Sequence, residues 1–339
     1  MKKLYYFFLI CTLIAFIGGL YGYKIIFGSA VELPDEESFF YVPTGSSYEA
    51  LIAGLESNYG VEPTSFNLVA KLMQFDTPKP GRYKLEQGWS NKELISNLRR
   101  GNQQALSLTF NNARNIEQLC GMMASKLESD SLSFLNHFVA PATLKKYGVT
   151  RETVMTLFIP NTYQIFWNSS PESVISRFAS EQKTFYNKSR TKKLASLDMT
   201  KEEVYTLASI VQKETLVNEE KPRVAGVYIN RLKRGQLLQA DPTVVFANQD
   251  FTIKRVLNRH LAKDSPYNTY KYDGLPPGPI CMPDVSSIDA VLNYEKHKYL
   301  YFCAAPDNSG RHQFARSLIE HNRNADKYRA FLNKLKIYK

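Results

Sequence analysis

Residues 4 to 23, "LYYFFLICTLIAFIGGLYGY", contain no charged side chain, and after Lys24 the apolar run resumes as "IIFG". About 20 such residues wound into a helix match the hydrocarbon thickness of a bilayer, and a helix satisfies its own backbone polar groups in oil. No other stretch limits the fold so strongly. Residues 1–27 are therefore predicted to form a short cytoplasmic start and a single transmembrane helix. A cleavable signal peptide has a shorter apolar stretch and an A-x-A-like site, which "FGSA" matches poorly. Lys2 and Lys3 precede the span, so the N-terminus is expected in the cytoplasm and the body on the extracytoplasmic side. Cys11 lies inside the apolar run instead of just after it, which disfavours a lipid-modified anchor.

The chain has 339 residues, 44% apolar and 13% aromatic, enough to bury two or three domain cores. Its formal charge of +11, from 43 basic and 32 acidic residues, favours a polyanionic partner: nucleic acid, an anionic membrane surface or an anionic polymer outside the cell. Zinc-finger spacing and RRM-like aromatic signatures are absent, and with a membrane span no nucleic-acid partner is expected. Cys120, Cys281 and Cys303 lie outside the span, which allows one disulfide, such as Cys281 with Cys303, and leaves an odd thiol. No C-x-x-C pair occurs. The histidines 137, 260, 297, 312 and 321 are scattered and read as surface or packing residues, so metal ligation is not expected of them.

Residues 28–38, "GSAVELPDEES", read as a polar linker. Residues 39–105 read as a small α+β module: a β-rich start, a helix on the stripe Tyr48, Leu51, Ile52 and Leu55, a second helix, a strand, and a final helix. That last helix is capped by Ser90 with Glu93 at the box position and stopped by Gly101. Residues 106–339 form the larger mixed α+β part. It starts with a strand, "QALSLTF", and continues mostly helical over 112–157. Pro160 then breaks the helix in "FIPNTYQIFWNSSPES", where Tyr163, Phe166 and Trp167 suit either sugar stacking or an ordinary core. Two β-like runs, "YLYFCAA" and "RHQFA", precede a basic helix over 317–338. Strands flank helices without βαβ alternation, which gives α+β as the fold class.

The strongest helical signal starts with a capping box at Thr200 and Glu203. Leu207, Ile210 and Val211 form its apolar stripe, and the next stripe position holds Glu214. A carboxylate there is either a helix end reaching water or an acid whose burial raises its pKa, the property a general acid needs. Glu219 and Glu220 read as a solvated pair, and Asp241, before Pro242, as the cap of a short helix or as a second carboxylate.

Four stretches, "LASIVQKET", "AGVYINRLKRGQLLQADPTVVFA", "YNTYKYDGLPPGPI" and "YLYFCAAPDNSGRHQFARSLIEHN", together resemble the endolytic murein transglycosylase family, the MltG or YceG-like proteins. The resemblance covers nearly the whole chain beyond the span. It implies a LysM-like module over 39–105, a catalytic domain over 106–339, and Glu214 as the single catalytic residue. Members often carry Glu where this chain has Gln212, about 200° around the helix from Glu214. The family's substrate-contact positions fall on Asn230, Gln239, Asp241, Thr243, Tyr267 and Asn268, while Arg231 and Lys233 face either stem-peptide carboxylates or solvent.

The resemblance further implies a lyase that cleaves the MurNAc-β-1,4-GlcNAc bond of nascent peptidoglycan glycan strands and calls for no metal or organic cofactor. It would leave 1,6-anhydroMurNAc ends and terminate strand elongation from a bacterial inner membrane, beside peptidoglycan synthases. Two other readings stay open: a glycoside hydrolase of a wall polysaccharide with Asp241 as its second carboxylate, and a non-catalytic peptidoglycan-binding scaffold.

Overall fold

The computed structural model describes residues 2–35 and 38–335. Glu36 and Glu37 of the predicted linker and residues 336–338 of the predicted last helix lie outside the described residues. The chain divides into two compact units. The first comprises residues 1–108 together with 126–129 and 163–169, and the second the remainder. The division thus falls at Leu108, and two later segments belong to the first unit, a return that local sequence pattern does not encode.

The first unit contains α1 (Lys2–Phe27), β1 (Ser38–Val42), α2 (Tyr48–Tyr59), α3 (Pro63–Leu72), β2 (Gly81–Leu85) and α4 (Asn91–Arg100). β1 and β2 are antiparallel, with Phe40 opposite Tyr83, and alternate residues of each strand are buried, as a sheet with one face on a core requires. Against that face pack Leu51 and Leu55 of α2, Phe66 of α3, and Leu94, Ile95 and Leu98 of α4. The Ser90–Glu93 capping box and the left-handed Gly101 bound α4 as its sequence predicts.

The start of the expected linker is built into this unit. Ile25 and Ile26 at the end of α1 pack against the core, and Asn91 Nδ2 donates to the Ile25 carbonyl at 3.0 Å. Ser29 bridges to Ser90, and Val31 is fully buried. Tyr163 is buried, Trp167 sets its ring edge-on to Tyr41, and only Phe166 of that aromatic trio is exposed.

Beyond this unit the chain forms β3 (Leu106–Phe110), α5 (Ile116–Ala124), α6 (Ser131–Phe138), α7 (Pro141–Tyr147), a 3₁₀ turn (Val154–Leu157), β4 (Asn161–Ile165), α8 (Pro171–Phe185) and α9 (Lys188–Leu197). Next come α10 (Lys201–Glu214), α11 (Lys221–Leu232), α12 (Asp241–Asn248), α13 (Asn258–Leu261), α14 (Val285–Leu292), β5 (Tyr301–Ala304), β6 (His312–Ala315) and α15 (Leu318–Lys334). The strands form three two-stranded sheets, β1–β2, β3–β4 and β5–β6, so the mixed α+β class holds.

The second unit is organised around α10, whose residues 204–211 are all buried among α11, α12 and α14. Two features fix that packing. Gly226 of α11 lets the helix touch the 295–297 segment, since a Cβ there would stand 2.5 Å from the Glu295 carbonyl oxygen. Ser209 Oγ accepts the Ile280 N–H at 3.0 Å, locking the Pro-rich loop onto the helix. Cys281 is buried and Cys303 partly buried, and both are free thiols, so the disulfide considered from sequence does not form.

Candidate active site

Glu214 is the last residue of α10. Leu207, Ile210 and Val211 of its stripe are fully buried, and Glu214 continues the stripe to a point where it is only partly covered. The connection to α11 is short, so α11 turns back alongside α10 and brings Tyr228 to the carboxyl group. Tyr228 Oη donates to Glu214 Oε1 at 2.5 Å, and Tyr228 is itself held edge-on by Phe302 of β5, with ring centroids 5.9 Å apart.

Burial pushes the Glu214 carboxyl from its usual 4.5 up to about 7. The Tyr228 hydrogen bond and the Arg231 charge oppose this rise, while the negative charge of Asp241 adds to it. Burial first, and Glu214 second, raise the Tyr228 hydroxyl well above its ordinary range, so it stays a proton donor. Arg231 is fixed by backbone carbonyls, donating to Leu300 at 2.7 Å, Leu238 at 2.8 Å and Leu237 at 3.2 Å.

Asp241 opens α12 but caps nothing: the cap position is Ala240, and no side-chain cap bond forms. Its carboxylate instead accepts the Tyr270 hydroxyl at 2.6 Å. Burial, then this bond to Asp241, raises the Tyr270 pKa. Gln239, just before, has a left-handed φ of 48°, a conformation costly for a residue with a Cβ. Its backbone N–H is held by the Thr269 carbonyl at 3.0 Å.

Two cavities meet at these acids. A smaller one of about 320 Å³ is lined by Glu214, Tyr228, Arg231, Gln239, Asp241 and Tyr270, with Tyr301 and His321 opposite. Tyr301 stacks on His321 at 5.5 Å, and burial lowers the His321 pKa. A larger cavity of about 700 Å³ also begins at Glu214 and Asp241 and runs toward Phe246, Phe251 and the 253–256 loop. Among the described residues, no three His, Cys, Asp or Glu side chains are grouped as a metal site requires.

Glu214, Gln239 and Asp241 are thus brought together, whereas Asn230, Thr243 and Asn268 spend their polar atoms inside the protein. Asn230 Nδ2 donates to the carbonyls of His297 and Tyr299 at 2.9 and 3.0 Å, tying α11 to the segment before β5. Thr243 is buried on Thr269 and the Ala240 carbonyl. Asn268 braces its own loop through the carbonyls of Leu261 and Lys263. Tyr267 packs on Phe246, and burial pushes its hydroxyl up to about 12. Lys233 is exposed and reaches the Tyr294 hydroxyl.

Gln212 joins a separate polar cluster: its amide donates to Asp284 and its oxygen accepts from Lys221 and Ser287. Glu220 departs from the expected solvated pair. It is 5% exposed and accepts from the backbone N–H of His312 at 3.0 Å and faces the His312 ring nitrogen at 2.9 Å. Sequence alone singled out neither Tyr228, inside "AGVYINRLKRG", nor Tyr270, inside "YNTYKYDG", as a site residue. The signal for Tyr228 was the short connection between two long helices, which returns the second alongside the end of the first.

The curated relatives include the endolytic murein transglycosylase of Bacillus subtilis, 28% identical over 85% of this chain and 83% of its own length. The endolytic murein transglycosylase of Streptococcus pneumoniae is 27% identical over 94% of this chain, which spans 63% of that relative's length. In three dimensions the chain is similar to the 2.6 Å crystal structure of a YceG-like protein from Listeria monocytogenes, with a TM-score of 0.56 and 28% identity over 85% of this chain and 99% of that one. The YceG-like family model matches residues 40–327, and on that span the chain belongs to the YceG-like family.

Proposed function

We propose that the chain is a membrane-anchored lytic transglycosylase that cuts the MurNAc-β-1,4-GlcNAc bond within nascent peptidoglycan strands. The observation that carries this reading is a carboxyl group poised near pH 7 where two cavities meet, with Tyr228 fixing one of its oxygens. The other oxygen is left for chemistry. Protonated Glu214 gives its proton to the glycosidic oxygen as the C1–O bond breaks. The resulting carboxylate takes the proton of the MurNAc 6-hydroxyl while O6 bonds to C1, which leaves a 1,6-anhydro end and restores the acid. No water is consumed, so a single acid and base suffices where hydrolases of either stereochemistry use two carboxylates. Asp241, held by Tyr270, keeps Glu214 protonated and places negative charge near the positive charge that develops at C1.

Cavities on both sides of one carboxyl group support cleavage inside a strand instead of at its end. The helix Lys2–Phe27, long and apolar enough to cross a membrane, would hold the body on the extracytoplasmic face of a bacterial inner membrane, beside the synthases whose strands it ends. The β-α-α-β order of β1, α2, α3 and β2 fits a LysM-like module. The test is product mass from purified peptidoglycan with the native protein and Glu214→Gln. Anhydro ends from the native protein alone bear out the proposal. Reducing ends would instead assign Asp241, which lines both cavities, as the base of a hydrolase.

A further inference from the structure

The two cavities differ in charge. In the smaller one Arg231 is committed to backbone carbonyls. The larger is rimmed by Arg114, Lys213, Lys254 and Arg255, while its carboxylates are Glu214 and Asp241 at its inner end. These cations come from three distant segments: the loop after β3, the last turn of α10 and the loop after α12. Among the described residues Arg114, Lys213 and Lys254 enter no ion pair. The Arg114 guanidinium lies 3.8 Å from the centroid of the Phe251 ring, which holds it in place at the rim. The proton relay has no use for this charge, since cations beside Glu214 oppose the protonated state it needs. A cleft lined by one sign of charge over apolar walls focuses its field on a ligand of the opposite sign.

The sugar rings of a peptidoglycan strand between lactyl groups are neutral, and its carboxylates sit on the short peptides attached to those lactyl groups. Resting on the proposed transglycosylase reaction, we infer that the larger cavity is a stem-peptide subsite. Arg114 and Lys254 take the peptide carboxylates, and Phe246 and Phe251 pack its alkyl parts. The enzyme would then select strands that still carry their peptides, which are the newly made ones, over strands stripped by amidases, where hydrolysis leaves a single lactyl carboxylate at the sugar and no peptide for Phe246 and Phe251 to pack.

The subsite can be read by binding, apart from cleavage. Fluorescent glycan fragments of one length, with and without stem peptides, are titrated onto full-length Glu214→Gln protein in detergent micelles. The peptide-bearing fragment is expected to bind about tenfold more tightly, and that ratio is expected to fall below about threefold with Lys254→Glu added or at 1 M salt, where charges are screened within about 3 Å. Equal affinity for the two fragments, or a preference that survives both changes, overturns the subsite. Cleavage by the native protein is followed alongside. If both fragments stay intact while the binding preference persists, the transglycosylase reading falls and the subsite stands. If both are cut with no binding preference, the subsite falls and the reaction stands.

Discussion

The Tyr228 hydroxyl donates a 2.5 Å hydrogen bond to the carboxyl group of Glu214, joining the third turn of one buried helix to the end of another. The bond favours the ionised form of Glu214 and so works against the burial that keeps it protonated. It leaves the acid with one free oxygen and a pKa of about 7 instead of higher.

Removing that bond with Tyr228→Phe should raise the Glu214 pKa further. Because kcat/KM for a general acid falls as the acid ionises, the alkaline limb of the profile is expected to move above pH 7. The rate at its plateau should fall roughly tenfold, the value of one lost charge-assisted hydrogen bond. A pH–rate profile on purified strands checks both parts, and an alkaline limb that stays put or moves down would contradict the assignment.

Asp241→Asn should act in the opposite direction. Its negative charge raises the Glu214 pKa, so neutralising it lowers that pKa and moves the alkaline limb below pH 7. Opposite shifts for Asn at 241 and Phe at 228 are a signature that damage to the fold alone does not produce.

Stability carries the same information. Between pH 4.5 and about 7 the unfolded chain loses a proton that folded Glu214 retains, so the native state loses stability as pH rises through that window. At pH 8 the full cost is about 3 kcal/mol, at ~1.4 kcal/mol for each pH unit between the two pKa values. Glu214→Gln keeps an oxygen for Tyr228 and removes the charge. It should therefore unfold later than the native protein at pH 8 and together with it at pH 4, as thermal melts at the two pH values would reveal.

Gly226→Ala places a methyl group 2.5 Å from the Glu295 carbonyl oxygen and 2.6 Å from His297 Nε2. Since the first of these is backbone, α11 must retreat, at a cost of about 1–3 kcal/mol and a Tm lowered by several degrees. Tyr228 lies two residues along the same helix, so cleavage should weaken with it. A variant that melts and cleaves like the native protein would show that this helix contact is not needed.

What sequence conveyed and what it withheld divide along distance in the chain. Glu214 was visible because it interrupts an apolar stripe, a property of one helix and its period. The capping boxes at Ser90 and Thr200 were visible for the same reason, each being a four-residue pattern. Glu220 was misread as a surface acid because its partner, His312, is 92 positions away in another element. Asp241 looked like a cap because Asp before Pro is a common helix start, and nothing nearby announced that Tyr270 would claim its carboxylate. Asn230 and Asn268 matched contact positions by residue type, yet their amides are consumed by backbone carbonyls that only the folded loops bring close. The segment from Ser29 to Val31 read as a connector by composition, whereas one apolar side chain, Val31, was enough to seat it in a core.

That seating bears on how the protein can be cut for study. Ile25 and Ile26 belong to the first unit's interior, and Asn91 is hydrogen-bonded to the backbone of α1. A soluble version beginning at Gly28 would strip an apolar lid from this unit and take from the buried Asn91 amide one of its two hydrogen bonds, leaving the one to Ser65, so its poor behaviour in solution would report the missing lid and not a defect in the enzyme. Keeping residues from Lys24 onward preserves the lid while discarding most of the apolar helix.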